Sequence, residues 1–265
     1  MPDNNFRVAI VVPCYNESSR LPVARFEQYM QSTATEFVFV DDGSTDKTIE
    51  ILKKIELAHP NQVVVVSCGS NMGKGEAVRR GINVAFARHV DYVGFWDADL
   101  ATPLEAISDF LAEFATRRDC LMVFGSRVRL LGREIDRSVL RHYLGRVFAT
   151  VASLVLRLPV YDTQCGAKLF RVTPMTVSLF ATPFCSRWTF DVEIIARLIQ
   201  KVGSVTTAAS QIFEFPLYLW KDVAGSKVKP RHFLIALLDM FRIYLVYGRS
   251  PCFTRSADSR RETRS

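Results

Sequence analysis

Two carboxylates one residue apart, Asp97 and Asp99, directly follow the apolar run at 92–96. In a turn that leaves a strand, such a pair suits a hard divalent cation, Mg²⁺ or Mn²⁺, which takes oxygen ligands and commonly completes its shell with phosphate oxygens. A cation there would neutralise charge on a departing diphosphate; a plain solvated turn is the alternative. Three more polar clusters follow apolar runs of the same kind. Pro13-Cys14-Tyr15-Asn16-Glu17 comes after residues 8–12, Asp41-Asp42-Gly43-Ser44 after 37–40, and Gly69-Ser70-Asn71-Met72-Gly73-Lys74-Gly75 after 63–66. Adjacent acids repel each other unless a ligand or donor offsets it. Asp41 and Asp42 therefore fit a ribose or base contact, or capping of the next helix, with Ser44 as another cap candidate. Neither Gly-x-Gly-x-x-Gly nor Gly-x-x-x-x-Gly-Lys-[Ser/Thr] is present, which argues against a dinucleotide dehydrogenase and a P-loop. Gly73-Lys74-Gly75 marks a turn or a close backbone approach to a ligand.

The elements that must carry these clusters are legible in the spacing. The four apolar runs begin about 25 to 30 residues apart, the length of a βα unit. Ser44-Thr45-Asp46 gives an N-cap signal before Ile49, Ile51, Leu52 and Ile55, and residues 74–89 carry Val78, Ile82, Ala85 and Phe86 on one face. This alternation predicts an α/β fold with a mostly parallel sheet covered by helices on both faces. Ligands of such sheets bind at the carboxyl ends of the strands, so the four clusters should converge on one cleft. A fifth strand at 121–124 ends at Gly125-Ser126-Arg127. Beyond it lie a basic stretch (127–146), an apolar helix (147–158), a loop (162–166), an amphipathic helix (190–202) and another strand (213–219). The apolar segment 233–247 contains Asp239 and Arg242; it is too short and too charged to span a bilayer and reads as a buried or interfacial helix. Both 147–158 and 233–247 fit either protein core or membrane contact. Residues 251–265, rich in Arg, Ser and Thr, read as a disordered basic tail.

The chain has 265 residues, 49% hydrophobic and 23% charged, which excludes a disordered or disulfide-scaffold protein and suits one domain over 1–250. Its net charge of +7 is unevenly placed: residues 1–126 hold 12 basic and 17 acidic side chains, residues 127–265 hold 22 and 10. A basic half serves nucleic acid, an anionic membrane or a phosphorylated substrate. Absence of interleaved basic and aromatic motifs argues against nucleic acid. Six cysteines without a CxxC pair suggest reduced thiols in a cytosolic protein, and the first apolar run is too short for a signal peptide. The expected location is the cytoplasm, peripherally at the cytoplasmic face of a membrane. His59, His89, His142 and His232 are isolated and better suited to surface or capping roles than to catalysis.

In order and spacing, VVPCYNE, VDDGSTDKT, NMGKGEAVRRGI and DADLATP resemble glycosyltransferase family 2 with a GT-A fold. Further on, GSR at 125–127, DTQCGAKLF at 162–170, RWTFDVEI at 187–194 and WKDVAGSKV from Trp220 are similar to the dolichyl-phosphate β-glucosyltransferase branch, relatives of dolichyl-phosphate mannose synthase. The resemblance implies a nucleotide and metal half (1–126) and an acceptor half (127–250). It places Pro13, Tyr15, Glu17 and Asp42 at the nucleobase and ribose with Asp41 close by. Lys74 and Ala98 fall at the nucleotide, and Asp97 and Asp99 at the metal and diphosphate. Arg127 would approach the donor or acceptor phosphate, with Arg141, Lys221 and Lys227 around the acceptor phosphate; Arg137 and Arg146 are alternatives to Arg141. Ala101 stands where mannose synthases often carry a metal-contacting Gln, which leaves a third protein ligand unassigned. Trp188 and Phe190 fit either packing under the sugar or core.

The implied reaction is inverting, metal-dependent transfer of glucose from UDP-glucose to a polyprenyl (dolichyl-type) phosphate, with no strong general base required because a phosphate is already ionised. Asp191 or Glu193 would serve as base for a hydroxyl acceptor. The alternatives are a family member that uses GDP-mannose or a hydroxyl acceptor, and a non-catalytic membrane-surface binding protein.

Overall fold

A computed structural model describes residues 6–136, 139–223 and 230–253, with the backbone alone at 139–142 and 230–234. The N-terminal half alternates as the spacing predicts: β1 (Val8–Cys14), α1 (Val23–Ser32), β2 (Glu36–Asp41), α2 (Thr48–Ala58), β3 (Val63–Ser67), α3 (Lys74–Phe86), β4 (Tyr92–Trp96), α4 (Ala106–Thr116) and β5 (Met122–Ser126). The second half adds β6 (Glu134–Asp136), α5 (Val139–Leu156), β7 (Ala167–Arg171), α6 (Pro174–Leu179), α7 (Phe190–Val202), α8 (Val205–Ser210), β8 (Ile212–Pro216), β9 (Leu219–Lys221) and α9 (Pro230–Ile243), which runs on into a π-turn at Tyr244–Gly248.

Seven strands form one sheet in the order β3-β2-β1-β4-β7-β5-β8, parallel except for β7, which runs antiparallel between β4 and β5. Successive residues of a strand face opposite sides, so each central strand feeds two cores. Ala9, Val11, Val38, Val40 and Phe95 pack with α3, α5, α7 and α9, whereas Ile10, Val12, Phe37, Phe39 and Trp96 pack with α1, α2 and α4. Gly81 lets α3 lie directly on β1: a Cβ there would come within 2.4 Å of a Val11 methyl.

Two expectations for the strands need correction. No strand was expected at 167–171; β7 carries a lysine and an arginine among its five residues, which breaks the apolar signature of a central strand. The strand expected at 213–219 is two: β8 stops at Pro216, which has no N–H to donate, and β9 pairs with β6 in a separate two-stranded ladder. The ordered body also runs past residue 250. Pro251–Phe253 form a 3₁₀ turn with Phe253 buried and its carbonyl accepting from Arg157 Nη1 at 2.9 Å; residues 254–265 lie outside the described part. Among the described residues no helix is long and apolar enough to cross a membrane.

Candidate active site

The loops after β1 and β2 are stapled into one surface. Asn16, at φ 51°, donates its N–H to Ser44 Oγ (3.0 Å) and accepts from Thr45 N–H through Oδ1 (2.8 Å); Glu17 N–H donates to Thr48 Oγ1 (2.8 Å). The Asp46 carboxylate accepts from Ser18 N–H (3.1 Å), Ser18 Oγ (2.7 Å) and Thr48 N–H (3.0 Å). Burial acts to raise its pKa, but the hydrogen bonds from Thr48 and Ser18 outweigh it and hold the carboxyl at about 2. A depressed carboxylate contributes stability that is present above its unfolded pKa and lost as pH falls through the folded one. Solvent screens this partly exposed group, so Asp46→Ala should cost only about 1 kcal/mol at neutral pH. Thermal melts should show the deficit shrinking between about pH 4 and pH 2.

Asp41 and Asp42 are both buried at the end of β2. Asp41 accepts from Ser44 N–H (3.3 Å). Asp42 accepts from Met72 N–H (2.7 Å) and Gly73 N–H (2.9 Å), so it binds the start of α3 to β2 and does not cap α2; Ser44 is likewise turned to Asn16. Burial pushes the Asp42 carboxyl up, opposed by those two amides and by the charge of Arg187. Arg187 lies over Gly73, whose absent Cβ would meet its side chain at 2.9 Å, and its carbonyl accepts from Gly75 N–H (3.1 Å). Pro13 and Tyr15 are half-buried on the same edge, and Glu17 is buried and bound by Arg20, with Nη2 2.7 Å from Oε1.

At the end of β4, Asp97 N–H donates to Gly166 O (3.0 Å), and the Asp97 carboxylate occupies the space where a Gly166 Cβ would stand. Lys74 Nζ, from the first turn of α3, lies 2.5 Å from Asp97 Oδ1. Asp99 Oδ1 accepts from Ala101 N–H (3.1 Å), and Leu100, between Asp99 and Ala101, takes φ 51° in this turn. Burial and the neighbouring charge of Asp97 push the Asp99 carboxyl up, opposed by the Ala101 amide, Arg20 and Lys74. Ala98 packs its methyl into the core. No group of three His, Cys, Asp or Glu that could hold a metal ion occurs among the described residues. The donor set still fits a hard divalent cation: two carboxylates in mutual repulsion, with room for phosphate or water oxygens as further ligands.

On the basic side, Arg127 N–H donates to Asp162 Oδ2 (3.1 Å), and its guanidinium grips the same carboxylate through Nε (2.6 Å) and Nη2 (2.7 Å) while lying 5.3 Å from the Trp220 ring. Burial works against the Arg127 charge, but Asp162 outweighs it and raises its pKa. Its fork thus organises the 161–166 loop, which Glu214 also holds by accepting from Tyr161 N–H (2.8 Å) and Asp162 N–H (2.6 Å). Lys221 is exposed on β9, and its N–H donates to Ala101 O (3.1 Å), which sets a cleft of about 170 Å³ with Arg25, Leu100 and Leu219 in its walls beside the Asp97–Asp99 turn. A larger hollow of about 630 Å³, among Phe6, Arg7, Thr33 and Gln62, lies at the opposite end of the strands, away from these carboxylates. Arg141 lies in the part of α5 described by backbone alone, and Lys227 lies outside the described residues.

Four side chains at the site had no assigned place from sequence: Arg20, Lys168, Arg187 and, in its observed setting, Asp191. Lys168 Nζ lies 2.5 Å from Asp191 Oδ1, and Gln164 Nε2 donates to Asp191 Oδ2 at 3.5 Å. Burial pushes the Asp191 carboxyl up, against the charges of Lys168 and Lys74. Glu193 is sealed in the core by Arg197 (2.7 Å), Tyr247 Oη (3.0 Å) and Cys185 N–H (2.7 Å), so it has no access to a substrate hydroxyl. Phe190 is core and Trp188 is part-exposed at 39%.

The family model for Glycosyl transferase family 2 matches residues 9–176. The chain belongs to that family. It is a glycosyltransferase, similar over most of its length to curated proteins named dolichyl-phosphate beta-glucosyltransferase. The Saccharomyces cerevisiae protein is 31% identical over 248 residues (85% of this chain, 70% of the relative), and the Homo sapiens protein 30% identical over 243 residues (84% and 70%). A Trichomonas vaginalis protein of the same name is 30% identical over 257 residues (92% and 72%). Among solved structures, mannosyl-3-phosphoglycerate synthase from Rubrobacter xylanophilus aligns with TM-score 0.67 at 15% identity, covering 94% of this chain and 76% of that one. Glucosyl-3-phosphoglycerate synthase from Mycobacterium tuberculosis, in complex with Mn²⁺, UDP-glucose and phosphoglyceric acid, aligns with TM-score 0.62 at 20% identity (91% and 79%). The shared fold is GT-A, and the expected α/β architecture stands in this glycosyltransferase.

Proposed function

We propose that this glycosyltransferase moves glucose from UDP-glucose to a polyprenyl phosphate of the dolichyl type, with inversion at the anomeric carbon. The observation that carries the reading is the meeting of Asp97, Asp99 and Lys74 at one strand end, beside the Asp41–Asp42 and Pro13–Glu17 loops, in a chain whose relatives are named for dolichyl-phosphate glucosylation. Lys74, Asp97 and Asp99 face the donor diphosphate; Tyr15, Glu17 and Asp42 face the nucleoside. A Mg²⁺ or Mn²⁺ ion on Asp97 and Asp99 would supply Lewis-acid neutralisation of the leaving diphosphate. The acceptor phosphate oxygen forms the new bond to the anomeric carbon from the opposite face as the bond to UDP breaks, and UDP leaves with the electron pair. That oxygen is already anionic, so no proton need be removed. Lys221, Arg141 and Lys227 are the cations proposed for the acceptor phosphate, and Arg127 fixes the loop on which it docks.

The lipid has to be reached at a surface. Helices α5 and α9 pack on each other and bury Phe148, Ala152, Met240 and Ile243, while Val147, Leu154, Leu238 and Phe241 stand exposed on the outside. We assign this face to the membrane surface that holds the acceptor. Leu238→Glu with Phe241→Glu should lower turnover of acceptor embedded in vesicles about tenfold and leave turnover of a short water-soluble polyprenyl phosphate unchanged.

The deciding experiment is a screen of labelled UDP-glucose and GDP-mannose against polyprenyl phosphate and a panel of sugar hydroxyls, each with Mg²⁺, Mn²⁺ or chelator. UDP release with formation of the lipid sugar, lost with chelator, is the expected result. Transfer only to hydroxyls, or from GDP-mannose alone, would replace this assignment.

A further inference from the structure

Behind the diphosphate edge lies a buried lysine to which the proposed transfer assigns no role. Lys168 is the second residue of β7, in register with Phe95 of β4 on one side and Phe124 of β5 on the other, and is 0% exposed. Its Nζ reaches Asp191 Oδ1 at 2.5 Å and donates to Cys165 O at 2.6 Å, with the Phe95 and Phe124 ring centroids 5.2 Å and 5.8 Å away. A buried ion pair of this kind rarely adds stability over an apolar pair of the same volume, because both ions lose their water. Position points to another use. The first turns of α3 and α7 abut: Gly75 N–H donates to Arg187 O at 3.1 Å, and a Cβ on Gly75 would come within 3.1 Å of the Phe190 side chain, so Lys74 and Asp191 stand on neighbouring turns within electrostatic reach, while Lys74 pairs directly with Asp97 at 2.5 Å. From core to cleft the charges alternate: Lys168, Asp191, Lys74, Asp97.

We propose that Lys168 is a positioning residue for the donor diphosphate: it anchors Asp191, and Asp191 together with Asp97 fixes where the Lys74 ammonium stands. Without a negative charge behind it, Lys74 would follow Asp97 alone and move with that carboxylate whenever a cation or diphosphate engaged it. With Asp97 in contact and the Asp191 charge behind it, it keeps one position whether the donor is present or absent. Lys168 touches no substrate atom in this scheme; it acts through Asp191. The inference rests on the nucleoside-diphosphate donor proposed above.

The test is UDP binding by calorimetry in chelator, which reads the protein's own groups without a cation, together with kcat, KM for UDP-glucose and the melting temperature. Lys168→Met with Asp191→Asn removes the two charges together and keeps the volume close. It should melt within a few degrees of the parent, bind UDP about tenfold more weakly and lose about tenfold in kcat. Asp191→Asn alone leaves Lys168 an amide oxygen to bond and carries the test should the double variant not fold; it should show the same loss of UDP affinity. Lys74→Met should lose affinity too, and its combination with Asp191→Asn should cost no more than Lys74→Met alone. Parent-like UDP affinity in Asp191→Asn, or full additivity with Lys74→Met, would overturn the proposal while leaving the donor assignment intact. Failure of the parent itself to bind UDP would remove both.

Discussion

Asp99→Asn should abolish nearly all transfer, with kcat down by about a thousandfold, while the protein folds at least as well as the parent. Both halves of that outcome come from the same geometry. Asp99 is pushed toward its neutral form first by burial and then by the Asp97 carboxylate. A carboxyl whose folded pKa is raised stabilises the fold fully below its unfolded pKa, and that contribution is lost as pH rises through the folded pKa. At neutral pH an ionised Asp99 therefore works against the native state, and a neutral amide of the same shape relieves it. The melting temperature of the variant should equal or exceed the parent's at pH 7, with the difference fading as the pH is lowered through the carboxylate range. Function moves the other way, because the repulsion between the two carboxylates is what a divalent cation offsets. Titration with Mg²⁺ or Mn²⁺ should raise the parent's melting temperature and leave that of Asp99→Asn flat. Near-parent turnover, or an equal cation-induced shift in both proteins, would remove Asp99 from the metal site.

Much of this edge could be read in the sequence because its determinants are local. A βα repeat of apolar runs fixes where strands end, and parallel topology places those ends on one side, so Pro13–Glu17, Asp41–Ser44, Gly69–Gly75 and Asp97–Asp99 had to meet. What could not be read depends on contacts between segments far apart in the chain. Arg127 invites a phosphate by type and position, yet its fork is filled by Asp162, thirty-five residues on. Asp42 and Ser44 look like helix caps in a linear reading, whereas their partners are Met72, Gly73 and Asn16. The strand β7 was hidden because it carries Lys168, and a fully buried lysine has no signature until the carboxylate that accompanies it is known. Conversely, the helix expected at 190–202 is found at Phe190–Val202: a strong 3.6-residue pattern ending at Gly203, with φ 78°, marks both the helix and its stop.

Two glycines, Gly166 in the loop before β7 and Gly94 in β4, separate what holds the fold from what holds the site, and Gly166→Ala gives the second large expected effect. A Cβ at Gly166 would lie 1.8 Å from Asp97 Oδ2 and 2.1 Å from its Cγ, so the carboxylate has to leave its present position. Its far end is flexible, and the backbone of Gly166 is not in the left-handed region, so the chain can accept alanine with little loss of stability. Lys74 would lose its 2.5 Å partner, and Asp97 would no longer pair with Asp99 toward a common ligand. A shift of about 1 Å in a reacting group is enough for a loss of about a hundredfold in rate. Gly166→Ala should therefore melt near the parent, lose about a hundredfold in kcat, and show no cation-induced rise in melting temperature. Gly94→Ala is the control. There a Cβ would meet the Lys168 carbonyl oxygen at 2.3 Å, backbone against backbone between β4 and β7, and neither strand can turn aside. That variant should lose stability by more than about 2 kcal/mol. The fraction that stays folded should still respond to the cation, because Asp97 is undisturbed. If Gly166→Ala kept parent-like kcat and cation response, Asp97 would have room to spare, and its close seat on Gly166 would be packing with no consequence for the reaction.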